Sequence, residues 1–165
     1  MNLGRIARHL LVLPGAVKRA FPPAAMTAIE QAIALSETQH RGEVRFAVEA
    51  ALDAPALLAG QAARERAIEV FSQLGVWDTE DNNGVLIYLL LADRDVEIVA
   101  DRGINAVVGA GEWEGICRIM EASLCRGEFE QAVLAAVQAV TRPLAQHFPP
   151  RAGDRNELTN RPAAI

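Results

Sequence analysis

Residues 81–104 read DNNGVLIYLLLADRDVEIVADRGI, and this stretch decides the fold class. The apolar run 85–91 is hydrophobic on both faces, which predicts a central strand covered on two sides. Asp93 and Arg94 mark a tight turn, and residues 96–100 form a further strand. The stretch therefore predicts an antiparallel hairpin within a sheet.

The register of this hairpin follows from the length of its turn. If the turn consists of two residues, Val96 lies opposite Leu91. The hairpin then brings Asp101 and Arg102, which follow one strand, beside residues 81–83, which precede the other. Polar side chains that are distant in the sequence are thus predicted to share one edge of the sheet.

Periodic patterns on either side of the hairpin complete an α/β domain. Residues 43–52 alternate in polarity and predict a half-buried strand, and residues 53–75 carry the apolar stripe of a helix. A strand, a helix and a strand in this order predict a right-handed crossover, so the first two strands should run parallel. Further helices are predicted at about residues 22–40, 113–126 and 129–144. The fold class is therefore α/β with a small mixed sheet.

Three parts are expected along the chain. Residues 1–20 form an amphipathic helix, residues 21–148 form the α/β domain, and residues 149–165 form a polar tail with little to bury. This pattern favours packing of the helix on the domain or on a partner over binding to a membrane surface. Four apolar side chains share one face of the helix, opposite Arg5 and Arg8; they are Leu3, Ile6, Leu10 and Leu13.

Composition narrows the class of protein. Of the 165 residues, 51% are hydrophobic and 22% are charged, which excludes a disordered chain. The net charge is −5 with no basic stripe, which argues against nucleic-acid binding. No run of about 20 apolar residues occurs, so no transmembrane segment is predicted. Cys117 and Cys125 are too far apart on one predicted helix to form a disulfide, and two unpaired thiols favour the cytoplasm.

The polar edge of the sheet is the first candidate for a site. Carboxylate and amide oxygens on a loop are ligands that hard cations such as Ca²⁺ or Mg²⁺ prefer. The spacing does not match an EF-hand loop, and turn formation with a local ion pair explains the same residues more simply. The candidate metal ligands are Asp78, Asp81 and Asp101, and the candidate binding residues are Asn82, Asn83 and Arg102.

A second polar cluster lies at the opposite edge, where the parallel strands end. It consists of Asp53 and residues 93–95. Open α/β sheets often bind ligands beyond this edge, but a hairpin tip explains the cluster without a ligand. The sequence contains no zinc-ligand spacing, nucleophile elbow or P-loop, so no catalytic residue is assigned.

The central stretch resembles the core of TPM domains, in which an Asn-Gly-Val-Leu strand leads through a turn into a Val-x-Ile strand. The resemblance extends over about residues 25–148, and it is strongest to short bacterial members without a signal peptide or membrane anchor. It implies a Rossmann-like, three-layer α/β/α sandwich. It also implies calcium binding and acid phosphatase activity, because some members of the family are described in these terms.

This sequence departs from the family pattern after the third strand. Longer members carry a Gly-Tyr-Gly-Leu-Glu segment followed by Leu-Thr-Asp, whereas residues 100–105 here read ADRGIN and residues 108–111 read VGAG. The tyrosine, the glutamate and the later aspartate are absent, so the phosphatase or metal role does not transfer as a whole. The direct matches are Asp81, Asn83 and Gly84, with Asp101 and Arg102 as local substitutes.

Two functions follow from these observations. The first is a non-catalytic protein-interaction or accessory module that binds a protein partner, at a membrane or elsewhere, through its N-terminal helix or its tail. The alternative is a metal-assisted phosphatase acting on phosphate esters, in which an ion held by Asp81 and Asp101 polarises a phosphoryl oxygen and Arg102 compensates charge. An intact fold pattern beside an incomplete catalytic set favours the first.

Overall fold

A computed structural model describes residues 3–165, which form eight helices and four strands. Residues 1 and 2 of the predicted N-terminal helix lie outside the described residues. None of the helices described is both long enough and apolar enough to cross a membrane. The helices are α1 Leu3–Leu10, α2 Ala16–Ala20, α3 Pro23–Glu37, α4 Ala54–Ala59, α5 Ala63–Gln73, α6 Arg102–Asn105, α7 Ala110–Cys125 and α8 Phe129–His147; the strands are β1 Val44–Glu49, β2 Val85–Leu90, β3 Asp95–Ala100 and β4 Ala163–Ala164.

The four strands form one mixed sheet in the order β3-β2-β1-β4. β1 and β2 run parallel, with Val44 opposite Val85, which confirms the predicted pairing of the first two strands. β2 and β3 run antiparallel, as the hairpin pattern predicts. The α/β fold class is therefore confirmed.

The register of the hairpin differs from the prediction. Val96 lies opposite Leu89 rather than Leu91, so the loop contains the four residues 91–94 instead of two. Arg94 closes the loop in the left-handed region, with φ at 53°. Because side chains alternate along a strand with a period of two, the shift by two residues leaves every side chain on its predicted face.

Helices cover the sheet on both faces. One core cluster joins alternate strand residues to α3, α7 and α8, and the other joins the opposite side chains to α4 and α5. Phe46 and Ile87 belong to the first core, whereas Ala47 and Tyr88 belong to the second. The strand predicted to be half buried is in fact buried along all of β1, because α5 and the C-terminal segment cover its second face.

The C-terminal segment folds back onto the sheet. β4 runs parallel to β1, with Ala163 opposite Ala47. The guanidinium of Arg45 donates to the carbonyl oxygens of Thr159 and Arg161. The segment expected to be a polar tail therefore supplies an edge strand, which the local sequence pattern does not predict.

Two glutamates, the buried Glu43 and the half-buried Glu37, hold this segment against the domain. The Glu43 carboxylate accepts the N–H groups of Glu157 and Leu158, and the Glu37 carboxylate accepts Asn160 Nδ2 at 2.7 Å. Burial raises the pKa of Glu37 to about 8, and burial also raises the pKa of Glu43. Both carboxyl groups are therefore easier to protonate in the folded chain than in the unfolded one.

Candidate functional site

The hairpin brings two of the predicted binding residues together. Arg102 Nε donates to Asn82 Oδ1 at 2.8 Å, and the N–H groups of Gly103 and Ile104 donate to Asn82 O. Asn82 has a positive φ of 52°, which asparagine tolerates better than most residues. A Cβ on Gly103 would lie 2.5 Å from Asp81 O, so this loop and α6 are in close contact.

Asp81 is paired with two arginines that were not predicted. Its Oδ2 lies 2.9 Å from Arg41 Nε and 3.8 Å from Arg151 Nη1. Arg41 follows α3, and Arg151 belongs to the C-terminal segment, so both partners are distant in the sequence. No local pattern around either arginine marks it as a partner of Asp81.

The three predicted metal ligands do not form a cluster with one another. Asp101 Oδ1 accepts the N–H of Arg102 at 2.7 Å and so caps α6, and Asp78 is exposed in the turn after α5. Among residues 3–165, no group of three or more His, Cys, Asp or Glu side chains is arranged to hold a metal ion. The metal-ligand role of Asp78, Asp81 and Asp101 stays a prediction.

Two oxygen atoms at this edge are buried without a hydrogen-bond partner. They are Asn83 Oδ1 and Asp101 Oδ2. Asp101 lies opposite Gly84, the residue after Asn83, because the Asp101 N–H donates to Gly84 O at 2.8 Å. Asn83 is held in place by its Nδ2, which donates to Arg41 O at 2.8 Å. A buried acceptor is costly unless water or a cation satisfies it, and this is the feature of the edge that suits a cation.

The opposite edge of the sheet anchors the N-terminal helix. Asp93, in the hairpin loop, lies 2.7 Å from Arg5 Nε, 2.9 Å from Arg8 Nη2 and 3.0 Å from His9 Nε2. Burial acts to raise the pKa of Asp93, but hydrogen bonds from these three side chains outweigh it and lower that pKa. Asp53, the other predicted member of this cluster, caps α4.

His9 sets the orientation of α1. The side chain is buried, and its Nδ1 accepts the Leu52 N–H at 3.0 Å. Because Nδ1 is an acceptor, the hydrogen of the neutral ring is on Nε2, which faces Asp93. One imidazole thus connects α1 to the segment after β1 and to the hairpin loop.

The polar face of α1 is turned toward the domain, and its leucines face solvent. Arg5 and His9 lie on the side of the helix opposite Leu3 and Leu10. Of the apolar face predicted to pack on the domain or on a partner, only Ile6 packs on the domain. Four side chains, which together we call the leucine surface, are between 67% and 76% exposed: Leu3, Leu10, Leu11 and Leu13.

A cleft lies at the carboxyl end of β1, and Asp53 of the second predicted cluster is among its lining residues. It has a volume of about 680 Å³, and its lining includes Glu49 and Arg66. Glu49 accepts from Tyr88 Oη at 2.7 Å and from Arg66 Nε at 2.9 Å. Burial and the Glu49 bond raise the pKa of Tyr88, and the Glu49 bond raises the pKa of Arg66. Glu49, Tyr88 and Arg66 are thus hydrogen-bonded to one another. The parallel register places Ala47 opposite Tyr88, so Glu49, two residues further along β1, lies on the same face as Tyr88; this register is the signal that could have predicted their contact.

A family model described as the TPM domain matches residues 18–142. The chain belongs to the TPM domain family. This TPM domain is similar to the NMR structure of the BA42 protein from the psychrophilic bacterium Bizionia argentinensis, with 29% identity and a TM-score of 0.76. The similarity covers 86% of this chain and 93% of that chain. A search of curated proteins finds no match.

The TPM match contains the predicted polar edge but not the leucine surface. Residues 81–83, Asp101 and Arg102 lie inside the matched range 18–142, whereas all four leucines precede it. The leucine surface therefore lies outside the part of the chain that the family model matches.

Proposed function

We propose that this TPM domain is a non-catalytic accessory module that works in the cytoplasm by docking through its leucine surface. The observation that carries the proposal is the orientation of α1, whose polar side chains bind the domain while its leucines remain in solvent. Single exposed leucines are normal on a protein surface, but four within residues 3–13 indicate an interaction surface. Both cysteines are unpaired, which supports a reducing compartment.

The attachment of α1 keeps the leucine surface outside. Turning the helix to bury its leucines would break the ion pairs of Asp93 with Arg5 and Arg8 and the hydrogen bond from Leu52 N–H to His9. Hydrogen bonds to charged groups are roughly twice as strong as neutral ones, and the half-buried Asp93 carboxylate would lose its partners. The fold itself therefore presents the leucines.

The contacts at the polar edge also support the proposal. Asp81 pairs with Arg41 and Arg151, and Asn82 holds Arg102. These side chains connect the hairpin, the segment after α3 and the C-terminal segment, so their interactions stabilise the fold. A docking role needs no further group at this edge.

Substitution of Leu10 and Leu11 by serine tests the docking function. When an extract of the native cells is resolved by sedimentation, we expect the wild type to migrate with larger assemblies and L10S/L11S to migrate as the free chain. Both leucines are exposed, so the substitutions leave the core intact, which far-UV circular dichroism checks.

The matched control is L35S/L58S. These two leucines are 66% and 67% exposed but lie outside the leucine surface, so we expect this variant to migrate like the wild type. Identical migration of the wild type and L10S/L11S would contradict the docking function. An equal change in the control variant would show that the effect is not specific to the leucine surface and would also count against it.

One observation favours a second candidate function, a divalent-metal-assisted phosphatase. The partnerless oxygens of Asn83 and Asp101 are each of the ligand type that Ca²⁺ or Mg²⁺ prefers, and such an ion when bound would polarise a phosphoryl oxygen. This function requires that hydrolysis of a chromogenic phosphate ester depend on the ion and disappear in Asn83→Ala and Asp101→Ala. Ion-dependent hydrolysis that persists in both variants would remove this edge as the active site.

A further inference from the structure

Cations border the leucine surface. Arg8 and Arg94 line a shallow cleft of about 610 Å³ together with Leu11. Arg19 Nη2 donates to Leu13 O at 3.3 Å, which places a third guanidinium at the C-terminal end of the surface. Apolar and positively charged groups are therefore next to each other on this side of the domain.

The leucine surface belongs to a basic part of an acidic chain. Residues 3–29 contain four lysine or arginine residues and no aspartate or glutamate, although the whole chain has a net charge of −5. Asp93, in the hairpin loop of the domain, forms ion pairs with Arg5 and Arg8 on the side of α1 that faces the domain. Lys18 and Arg94 are exposed, and the region therefore attracts anions.

We propose that the leucine surface binds an anionic lipid bilayer; this partner class rests on the docking function proposed above. The four leucines enter the boundary between headgroups and acyl chains, while Lys18, Arg19 and Arg94 lie at the level of the phosphates. Leucines beside lysine and arginine are the composition of helices that lie in the membrane interface. Protein–protein interfaces are enriched in aromatic side chains, and residues 3–13 contain none.

The dimensions of α1 require it to lie flat in the interface. It has eight residues, which corresponds to a length of about 12 Å, whereas the hydrocarbon core of a bilayer is about 30 Å thick. The opposite side of the helix is bound to Asp93 and to the Leu52 N–H. Insertion of the leucines therefore leaves the α/β domain in water and breaks none of these contacts.

Co-sedimentation of the full chain with vesicles tests this binding. With phosphatidylcholine vesicles containing about one third phosphatidylglycerol, we expect the wild type to sediment and the bound fraction to fall as salt is added. L10S/L11S should lower the partition coefficient by about 100-fold, because burial of each leucine contributes roughly tenfold. L35S/L58S should bind like the wild type.

A second variant separates the charge contribution from the apolar one. K18Q/R94Q should weaken binding to the anionic vesicles by about tenfold or more and leave the weaker binding to pure phosphatidylcholine unchanged. The lipid proposal is overturned if the wild type does not sediment with anionic vesicles, or if L10S/L11S binds them equally well. If the wild type does not bind vesicles while L10S/L11S still migrates as the free chain in cell extracts, the leucine surface binds a protein. The docking function then holds and the lipid proposal does not. If L10S/L11S changes neither vesicle binding nor migration in extracts, the lipid proposal and the docking function both fail.

Discussion

Replacement of Gly84 by alanine should lower the free energy of unfolding by about 3 kcal/mol, the upper part of the range for overpacked sites. A Cβ at this position would lie 2.0 Å from Val76 O. That atom belongs to the backbone, so no side-chain rotation relieves the clash, and β2 or the turn after α5 must move. Movement of β2 would also disturb the bond from the Asp101 N–H to Gly84 O. Urea unfolding of the variant measures the loss.

The matched control for this prediction is Gly115→Ala. Gly115 lies in α7, and a Cβ there would meet no heavy atom within 4 Å. Because alanine is favoured over glycine inside a helix, this variant should gain about 0.5–1 kcal/mol. The two substitutions add the same methyl group and should have opposite signs. A Gly84→Ala variant as stable as the wild type would show that β2 is not packed against Val76 in this way.

Glu37→Gln should remove a large part of the pH dependence of stability. The pKa of Glu37 is about 8 in the folded chain because burial disfavours its carboxylate, against 4.5 as its ordinary value. A carboxyl group whose pKa is raised on folding contributes stability below pH 4.5, and this contribution is lost as the pH rises toward 8. The wild type should therefore become less stable than Glu37→Gln between pH 5 and pH 9, by about 2 kcal/mol, since relaxation reduces the full effect.

Glu30→Gln in the same helix provides the control. Glu30 is exposed, so its substitution should leave the pH dependence of the wild type unchanged. Denaturant unfolding at both pH values, with fluorescence detection, measures the difference between the variants. Equal pH profiles for the wild type and Glu37→Gln would mean that the Glu37 carboxyl group is not desolvated in the folded chain.

The elements that form the sheet could be predicted because their patterns are local. The run 85–91 is apolar throughout, and residues 43–52 alternate, so β1 and β2 are visible in the sequence itself. The order of strand and helix predicts the parallel pairing, and the hairpin predicts that Asn82 and Arg102 meet. These conclusions need no knowledge of distant partners.

The hairpin loop could not be predicted because its conformation depends on a distant helix. Because Leu91 is apolar, the sequence pattern extends the strand to this residue and predicts a turn of two residues. In the fold Asp93 binds Arg5 and Arg8, which are more than 80 residues away in the sequence, and Arg94 adopts a positive φ. The loop therefore takes four residues, and its tip faces α1.

The orientation of α1 and the pairing of β4 also depend on residues that are distant in the sequence. An apolar helix face is normally expected to pack on the core, but the half-buried Asp93 and the Leu52 N–H require polar partners, which Arg5 and His9 provide. β4 consists of two alanines, too few for a strand pattern. The charged residues of β1 are the sequence signal that could have predicted a covering segment. A buried Arg45 needs hydrogen-bond acceptors from another part of the chain, and the C-terminal segment provides them.

The most direct test of the exposed leucine surface is the solvent accessibility of individual methyl groups, measured by NMR with a soluble paramagnetic agent. We expect the methyl signals of Leu10 and Leu11 to broaden as strongly as those of the exposed Leu35, whereas those of the buried Ile87 should not broaden. Protection of Leu10 and Leu11 to the level of Ile87 would contradict this expectation, because the leucine surface would then be packed within the domain.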